Sequence, residues 1–253
     1  MIEVTILGVL QGIAEFLPVS SSGHLVIAQY LLGIGKGGMR LDIFLHLGTL
    51  LAILVYYFGA VRRIVTRFDW LYMVKLLVSA LPAVAVYFAF QKAIDSSFED
   101  PHTVGAFLMF TGAVLMITRY IPAGGKDVSL LRALLMGLAQ AFAILPGVSR
   151  SGMTLAMARS GKVEPSKSAE FSFLMSAPLI AGGSVLEIVR MAKTPALLQT
   201  GEISWGLTAY GAAVAFVVGL VSLAVLEKTI KSRWFWLFGP YCITAGLLTL
   251  FLI

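Results

Sequence analysis

The chain has 253 residues, of which 58% are hydrophobic and only 13% are charged, and its formal net charge is +6. An average soluble domain carries about 25% charged residues, so this chain has too few polar groups to cover a water-exposed surface. The basic residues lie scattered in short loops rather than in a run or along one face, which argues against a nucleic-acid partner. Composition therefore excludes an ordinary soluble domain and favours a membrane protein.

Long apolar stretches recur along the chain and contain no Asp, Glu, Lys or Arg. They cover residues 43–61, 76–91, 101–118, 171–186, 203–226 and 234–253. Each is close to the roughly 20 residues that a helix needs to cross about 30 Å of hydrocarbon. The single cysteine, Cys242, lies in the last stretch, so we expect a packing residue and no disulfide framework. The predicted fold class is an all-α polytopic membrane protein with membrane lipids as its surroundings.

Two further apolar segments, at about 2–32 and 131–160, are interrupted by polar residues. The first breaks at Pro18–Gly23 and the second at Pro146–Gly152. Pro and Gly end helices, and backbone freed at membrane depth is tolerated only where it is buried in protein or lines a cavity. Both segments are therefore predicted to form re-entrant helix-loop-helix hairpins.

These two segments also resemble each other. Gly8 aligns with Gly137 and Gln11 with Gln140 at an offset of 129 residues. We expect a single integral membrane domain built from repeats at about 1–124 and 125–253, each one hairpin plus three transmembrane helices. Three crossings per half is an odd number, so the second copy enters the membrane upside down. The prediction is an inverted-topology repeat, in which broken helices mark the functional site.

The distribution of loop charges predicts the orientation. Thirteen Lys and Arg residues fall on one side and five on the other, and the richer side is expected to be cytoplasmic. Both termini and the opening of the site then lie on the outer side of the plasma membrane. The richer side comprises Arg62, Arg63, Arg67, Lys75, Arg119, Lys126, Arg132, Arg159, Lys162, Lys167, Lys228, Lys231 and Arg233; the other comprises Lys36, Arg40, Lys92, Arg190 and Lys193.

The first break supplies one group of candidate site residues. Gln11 and Glu15 are four residues apart and share a helix face just before Pro18. An intramembrane carboxylate is functional by default, although a structural ion pair is the alternative. Three serines and an imidazole follow at the start of the second helix, where anion binding and ordinary helix capping are both typical. They are Ser20, Ser21, Ser22 and His24, whereas His46 is set aside as structural.

The second break repeats this arrangement and adds a fixed cation. Arg150 is the only Lys or Arg among the seventeen residues before it and the eight after it. A guanidinium in the bundle interior needs an anionic partner, which is either Glu15 or a ligand. Hydroxyls and a glycine surround it at Gly147, Ser149, Ser151 and Thr154. Together the two breaks are typical of a phosphate site with acid and base groups.

At this point the residues resemble a known family. The string from Gln11 to His24, QGIAEFLPVSSSGH, is similar to the first signature of the undecaprenyl-diphosphate phosphatases, also called bacitracin-resistance phosphatases. PGVSRSGMT, from Pro146 to Thr154, is similar to their second signature. The likeness runs over nearly the whole chain. One departure is Gln11, where many members carry Glu, and it puts a metal site needing two carboxylates in doubt.

The resemblance implies an enzyme that removes the terminal phosphate of a polyprenyl diphosphate and leaves the monophosphate lipid carrier. It also implies assistance by a divalent cation, Mg²⁺ or Ca²⁺. On this basis Ser21 is the expected nucleophile and His24 its proton acceptor. Glu15 orients His24 or helps to hold the metal, with Gln11 in support. The expected diphosphate grip comprises Arg150, Ser20, Ser22, Gly147, Ser149, Ser151 and Thr154.

Several alternatives stay open from the sequence. A water activated by Glu15 or by the metal is the alternative to a serine nucleophile. A lipid flippase or a small-anion transporter also has inverted repeats and broken helices. Acid-phosphatase-type lipid phosphatases are discounted, because they expect a histidine where Ala156 stands. The prenyl chain length and a homodimeric state are likewise left open.

Overall fold

A computed structural model describes residues 1–34, 39–98, 100–193 and 203–252. Lys36, which entered the charge count, lies outside these ranges. Within them the regular structure is helical, apart from one isolated bridge between Lys126 and Val163. The helices are α1 (Ile2–Ala14), α2 (Ser21–Leu31), α3 (Met39–Tyr56), α4 (Phe58–Thr66), α5 (Trp70–Ser97), α6 (Pro101–Ile117), α7 (Leu130–Phe142), α8 (Arg150–Ser160), α9 (Pro165–Lys193), α10 (Trp205–Lys231) and α11 (Phe238–Leu252), with short 3₁₀ turns at Thr118–Tyr120 and Phe235–Leu237.

Five helical segments are long and apolar enough to cross a membrane. They cover 70–97, 101–120, 165–193, 205–231 and 235–252, and a sixth is added if α3 and α4 are taken as one bent span. Large apolar side chains on α5, such as Leu77, Leu81 and Phe88, are more than half exposed, as is expected of a surface that faces lipid. The prediction of an all-α, multi-pass membrane protein is confirmed.

The chain turns sharply after α3, which the sequence did not predict. The charge-free stretch 43–61 suggested one straight span followed by a loop with Arg62, Arg63 and Arg67. Instead α3 ends at Tyr56, and the basic residues Arg62 and Arg63 lie on α4, which is bent by 72° from α3. Exposed arginines are costly in hydrocarbon, so a helix that carries them is more stable along the membrane surface than across it.

The first helix of each interrupted segment is short. Both α1 and α7 have 13 residues, and the helices that follow the breaks, α2 and α8, have 11. At a rise of about 1.5 Å per residue, 13 residues extend only about 20 Å, which is less than the hydrocarbon thickness. The helix breaks coincide with the Pro/Ser/Gly segments singled out in the sequence.

Glycines bring two helix pairs into close contact. A methyl group added to Gly112 would lie 2.6 Å from the carbonyl oxygen of Gly239, and one added to Gly246 would lie 2.5 Å from that of Gly105. Later residues of α6 therefore meet earlier residues of α11, and these helices run in opposite directions. Backbones this close exclude any larger side chain, as is common in packed membrane helices.

The pairing of α1 with α10 has the opposite sense. An added methyl group on Gly8 would lie 2.9 Å from the carbonyl oxygen of Gly211, and one on Gly12 would lie 2.9 Å from that of Ala215. Both contacts advance together along the chain, so α1 and α10 run in the same direction. The largest apolar cluster among the described residues includes Phe16, which is fully buried and lies just before Pro18 at the first break.

The connection that precedes α7 is tied to the end of α8. Lys126 N–H donates to the carbonyl of Lys162 at 3.0 Å, and Arg132 Nε donates to that of Gly161 at 2.9 Å. Lys167 pairs with Asp127 there, and its ammonium group lowers the pKa of the Asp127 carboxyl. These contacts fix both ends of the second interrupted segment on one side of the bundle.

Candidate active site

Glu15 is the centre of a polar cluster at the first break. It follows the last residue of α1 and is only 6% exposed. Its Oε2 accepts hydrogen bonds from Ser21 Oγ at 2.6 Å and from Gln11 Nε2 at 3.1 Å. Its Oε1 accepts from Arg150 Nη2. The structure therefore brings Gln11, Glu15, Ser21 and Arg150 together, as the sequence predicted.

Arg150 is the first residue of α8, and its side chain is 15% exposed. One guanidinium nitrogen, Nη2, pairs with Glu15, while Nη1 is buried and has no hydrogen-bond partner among the described residues. The guanidinium carbon lies 5.6 Å from the centre of the Phe173 ring, close enough for a cation–π contact. Arg150 thus retains donors for an anion in addition to Glu15.

The two breaks pack directly against each other. A methyl group on Gly23 would lie 3.0 Å from Gly147 Cα, and Ser151 Oγ donates to the carbonyl of Leu17 at 3.2 Å. Gly147 has a φ of +95°, and an added methyl group would lie 2.4 Å from the carbonyl oxygen of Val104. Only glycine fits this conformation and this gap. Gly147 therefore has a structural role, which is to let the second break lie against the backbone of α6.

Most of the other hydroxyls are already bonded within the protein. Ser20 Oγ accepts from Gly23 N–H and Ser149 Oγ accepts from Gly152 N–H, so each caps the helix after its break. Ser22 Oγ lies 3.5 Å from Ser20 Oγ. The N-termini of α2 and α8 lie at the contact between the two breaks, and helix N-termini are common anion-binding sites.

Two residues expected to grip phosphate are directed elsewhere. Thr154 is fully buried, donates to the backbone of its own helix and lies 2.6 Å from Ser172 Oγ. Ser151 is buried against Leu17, as described above. Their hydroxyls hold α8 against α9 and against the first break. In this arrangement both hydroxyls already have partners within the protein, and their role as phosphate ligands stays a prediction.

The hydrogen bonds of His24 differ from those of the expected nucleophile–base pair. Its Nδ1 lies 2.8 Å from the carbonyl oxygen of Ser20, and its Nε2 lies 2.8 Å from the hydroxyl of Tyr241. Ser21 donates to Glu15 instead. Tyr241 was not predicted, because an aromatic residue in an apolar span ordinarily packs or faces lipid.

His46 also approaches the cluster, although its sequence context predicted a structural residue. Its Nε2 lies 4.0 Å from Glu15 Oε2, and its Nδ1 lies 2.8 Å from the carbonyl oxygen of Asp42. The only available signal was a polar residue near the start of the first long apolar stretch. Glu15 is far from His46 in the sequence, so the sequence alone did not reveal the contact.

A divalent cation fits this site only in part. Mg²⁺ and Ca²⁺ prefer oxygen ligands, and the site offers the Glu15 carboxylate and Gln11 Oε1, which is buried without a hydrogen-bond partner. The described ranges contain no group of three or more His, Cys, Asp or Glu side chains that would hold a metal. Two protein oxygens leave most positions to water or phosphate, which suits a cation that arrives with its substrate.

Comparison with known proteins gives the family context. Residues 4–248 match the family model described as bacitracin resistance protein BacA. The chain is 36% identical to the undecaprenyl-diphosphatase of Desulforapulum autotrophicum, over 97% of this chain and 95% of the relative. It is 36% identical to that of Thermotoga petrophila, over 96% and 97%, and 40% identical to that of Rhodopirellula baltica, over 100% and 98%.

Proposed function

This chain belongs to the bacitracin resistance protein BacA family, and we propose on that premise that it is an undecaprenyl-diphosphate phosphatase. It hydrolyses undecaprenyl diphosphate to undecaprenyl phosphate and inorganic phosphate. The monophosphate is the lipid carrier for cell-envelope polymers, and its supply accounts for bacitracin resistance. The observation that carries the proposal is the contact of Arg150 and Ser21 with one buried carboxylate, Glu15.

This contact supports phosphoryl transfer for an electrostatic reason. Catalysis of that reaction depends mainly on positioning and on neutralising charge. Arg150 contributes the fixed cation, and its Nη1 has N–H groups to spare. The N-termini of α2 and α8 add backbone donors at the meeting point of the two breaks. A planar guanidinium binds two phosphate oxygens at once, which suits a diphosphate.

The first step forms a phosphoserine. Ser21 Oγ attacks the terminal phosphorus, the bond from phosphorus to the bridging oxygen breaks, and undecaprenyl phosphate leaves as an anion. The hydroxyl proton passes to Glu15, which already accepts the Ser21 hydrogen bond at 2.6 Å. This differs from the sequence-based expectation, in which His24 took that proton.

The second step returns the enzyme to its starting state. Water attacks the phosphoserine and gives its proton to His24, while Glu15 returns its own proton to Ser21 Oγ as the serine–phosphorus bond breaks. Inorganic phosphate leaves, and His24 releases one proton to solvent. A divalent cation held by Glu15 and Gln11 Oε1 would neutralise phosphate charge during turnover.

We further propose that the architecture is an inverted repeat with two re-entrant hairpins. The equal lengths of α1 and α7 and of α2 and α8 support it. An inverted second half requires α10 to run with α1 and α11 to run against α6, and the glycine contacts of both pairs agree. With the charge count, this gives a site that opens outward and termini on the outer side.

A phosphate-release assay on the purified protein tests this function. We expect phosphate from undecaprenyl diphosphate and from shorter prenyl diphosphates, with a rate that falls when a chelator is added. A lipid flippase or anion transporter would bind the same ligands without releasing phosphate. Failure to release phosphate in the presence of any divalent cation would contradict the proposal and favour a transport function.

A further inference from the structure

We infer that Tyr241 is a positioning residue for His24, an inference that rests on the proposed function. Tyr241 lies near the start of α11, and its hydroxyl oxygen is 2.8 Å from His24 Nε2. The two rings are nearly parallel, with an angle of 7° and a centroid distance of 5.6 Å. The Tyr241 hydroxyl thus contacts the edge of the imidazole, and the Tyr241 ring stacks against its face.

The hydrogen bonds of His24 fix its tautomer. A carbonyl oxygen only accepts, so the bond to Ser20 requires the proton on Nδ1. Nε2 then carries the lone pair, and Tyr241 O–H donates to it. The water proton can reach this lone pair only after the Tyr241 hydroxyl hydrogen rotates off it, and the same oxygen then accepts from the protonated Nε2. Tyr241 therefore holds His24 before and after the proton transfer assigned to it.

The neighbouring residue reinforces this assignment. Cys242 Sγ donates to the carbonyl of Pro18 at 3.5 Å, so consecutive residues of α11 contact both sides of the first break. Cys242 is fully buried, whereas Tyr241 is 50% exposed. Cys242 fixes the chain before the serines, and Tyr241 fixes the imidazole after them. α11 is thus the element that sets the position of His24 relative to Ser21.

The matched control is another tyrosine hydroxyl that reaches the same segment. Tyr210 of α10 is 41% exposed, and its hydroxyl lies 3.2 Å from Thr5 Oγ1 on α1. Tyr210→Phe removes an equivalent contact that does not involve His24. Any general effect of losing a tyrosine hydroxyl between the bundle and this segment would appear in both variants.

The test compares Tyr241→Phe with Tyr210→Phe in single-turnover phosphate release, with enzyme in excess so that slow variants are resolved. A neutral hydrogen bond contributes about 0.5–1.5 kcal/mol, so we expect Tyr241→Phe to lower the rate by about threefold to tenfold. In parallel steady-state measurements, KM should change by less than about twofold, because the hydroxyl acts through His24 and not on the substrate. Tyr210→Phe should leave both values unchanged.

The His24→Ala background separates positioning from other roles. There, Tyr241→Phe should cause no further loss, because its effect passes through the missing imidazole. A multiplicative further loss, a change confined to KM, or a fully active Tyr241→Phe variant would each overturn the inference. An inactive unsubstituted protein would instead overturn the proposed function, and the positioning role with it.

A nitrogen NMR measurement tests the contact without relying on turnover. In protein labelled at histidine with ¹⁵N, Tyr241→Phe should shift the Nε2 resonance of His24, while Tyr210→Phe should leave it in place. An unchanged resonance in the Tyr241→Phe variant would show that the hydroxyl does not hold the imidazole, and it would overturn the inference even in an active enzyme.

Discussion

Arg150 pairs with Glu15 through one nitrogen, while its second terminal nitrogen is buried without a partner among the described residues. Lysine keeps the charge and the reach toward Glu15 but loses the two-pronged donor. We expect Arg150→Lys to fold and to lose about 10²-fold or more in kcat/KM, or about 2.7 kcal/mol of transition-state stabilisation. Steady-state phosphate release measures the loss, and gel filtration in detergent checks folding.

The exposed pair of Arg63 with Glu170 supplies the control for this substitution. Arg63→Lys should stay within about twofold of the unsubstituted enzyme, because surface ion pairs contribute little. Near-normal hydrolysis by Arg150→Lys would mean that Arg150 is only a structural partner of Glu15. In that case removing both charges together should restore stability regardless of substrate.

Ser21 differs from its neighbours in that its hydroxyl donates to a carboxylate. If it is the nucleophile, Ser21→Ala should lower kcat by about 10³-fold or more while lipid binding stays nearly intact. Ser22→Ala should lose far less, because the Ser22 hydroxyl pairs with another serine hydroxyl and not with a carboxylate. Rapid acid quenching with substrate labelled in the terminal phosphate should trap label on the protein, and this label should be absent from the Ser21→Ala variant.

A substantial residual rate in Ser21→Ala would contradict the serine mechanism. Glu15 would then activate a water molecule directly, and Ser21 would serve as a phosphate ligand. The two mechanisms leave the same products, so the trapped phosphoserine is the observation that separates them.

Residue by residue, the sequence predicted the polar centre well and its surroundings poorly. Glu15 and Arg150 stood out because charges inside apolar segments need partners, and each is the partner of the other. Thr154 fitted a phosphate-binding pattern, yet its burial and its contact with Ser172 depend on how α9 packs. Tyr241 and His46 were missed for the same reason, since their contacts join helices far apart in sequence.

At the scale of elements, the second break depends on the backbone conformation of Gly147. Alanine at a φ of +95° is strained by about 1–3 kcal/mol, and its methyl group would overlap the Val104 carbonyl oxygen. We expect Gly147→Ala to lower the melting temperature in detergent and to reduce hydrolysis, because the added methyl group pushes the second break away from α6. Gly125→Ala, at a loop position with open space around it, should leave both unchanged.

An equally stable Gly147→Ala protein would show that the second break does not rely on its close approach to α6. A stable protein that loses only activity would instead indicate that the added methyl group blocks the substrate, and not that it displaces the second break.

Helix α4 shows what hydropathy cannot reveal about an element. The absence of charges over 43–61 correctly indicated a membrane segment, but the count contains no information on the direction of the helix axis. The bend comes at Tyr57, before the first arginine, and it turns Arg62 and Arg63 away from the direction of α3, which is favourable because arginines are costly in hydrocarbon. By contrast, the two helix breaks could be predicted from the sequence, because Pro and Gly act on the backbone locally.

For the whole molecule, the inverted-repeat proposal requires three membrane crossings in each half, and α5 is one of the crossings of the first half. The ends of α5 must therefore face opposite sides of the membrane. Gly59 precedes α5 in an exposed position with no atom within 4 Å of an added side chain, and Ser96 is exposed near its far end. Cysteines at these two positions therefore report on opposite faces.

Labelling with a membrane-impermeant maleimide in a Cys242→Ser background tests this orientation. Cys242 is buried, and serine keeps a donor for the Pro18 carbonyl, so the background should stay folded. We expect the Ser96→Cys variant to label in intact cells and the Gly59→Cys variant to label only after lysis, because the basic residues that follow Gly59 stay cytoplasmic. Labelling of both in intact cells would mean that α5 does not cross the membrane. The reverse pattern would keep the crossing and turn the site toward the cytoplasm, so the experiment decides whether α5 crosses the membrane and on which side the substrate enters.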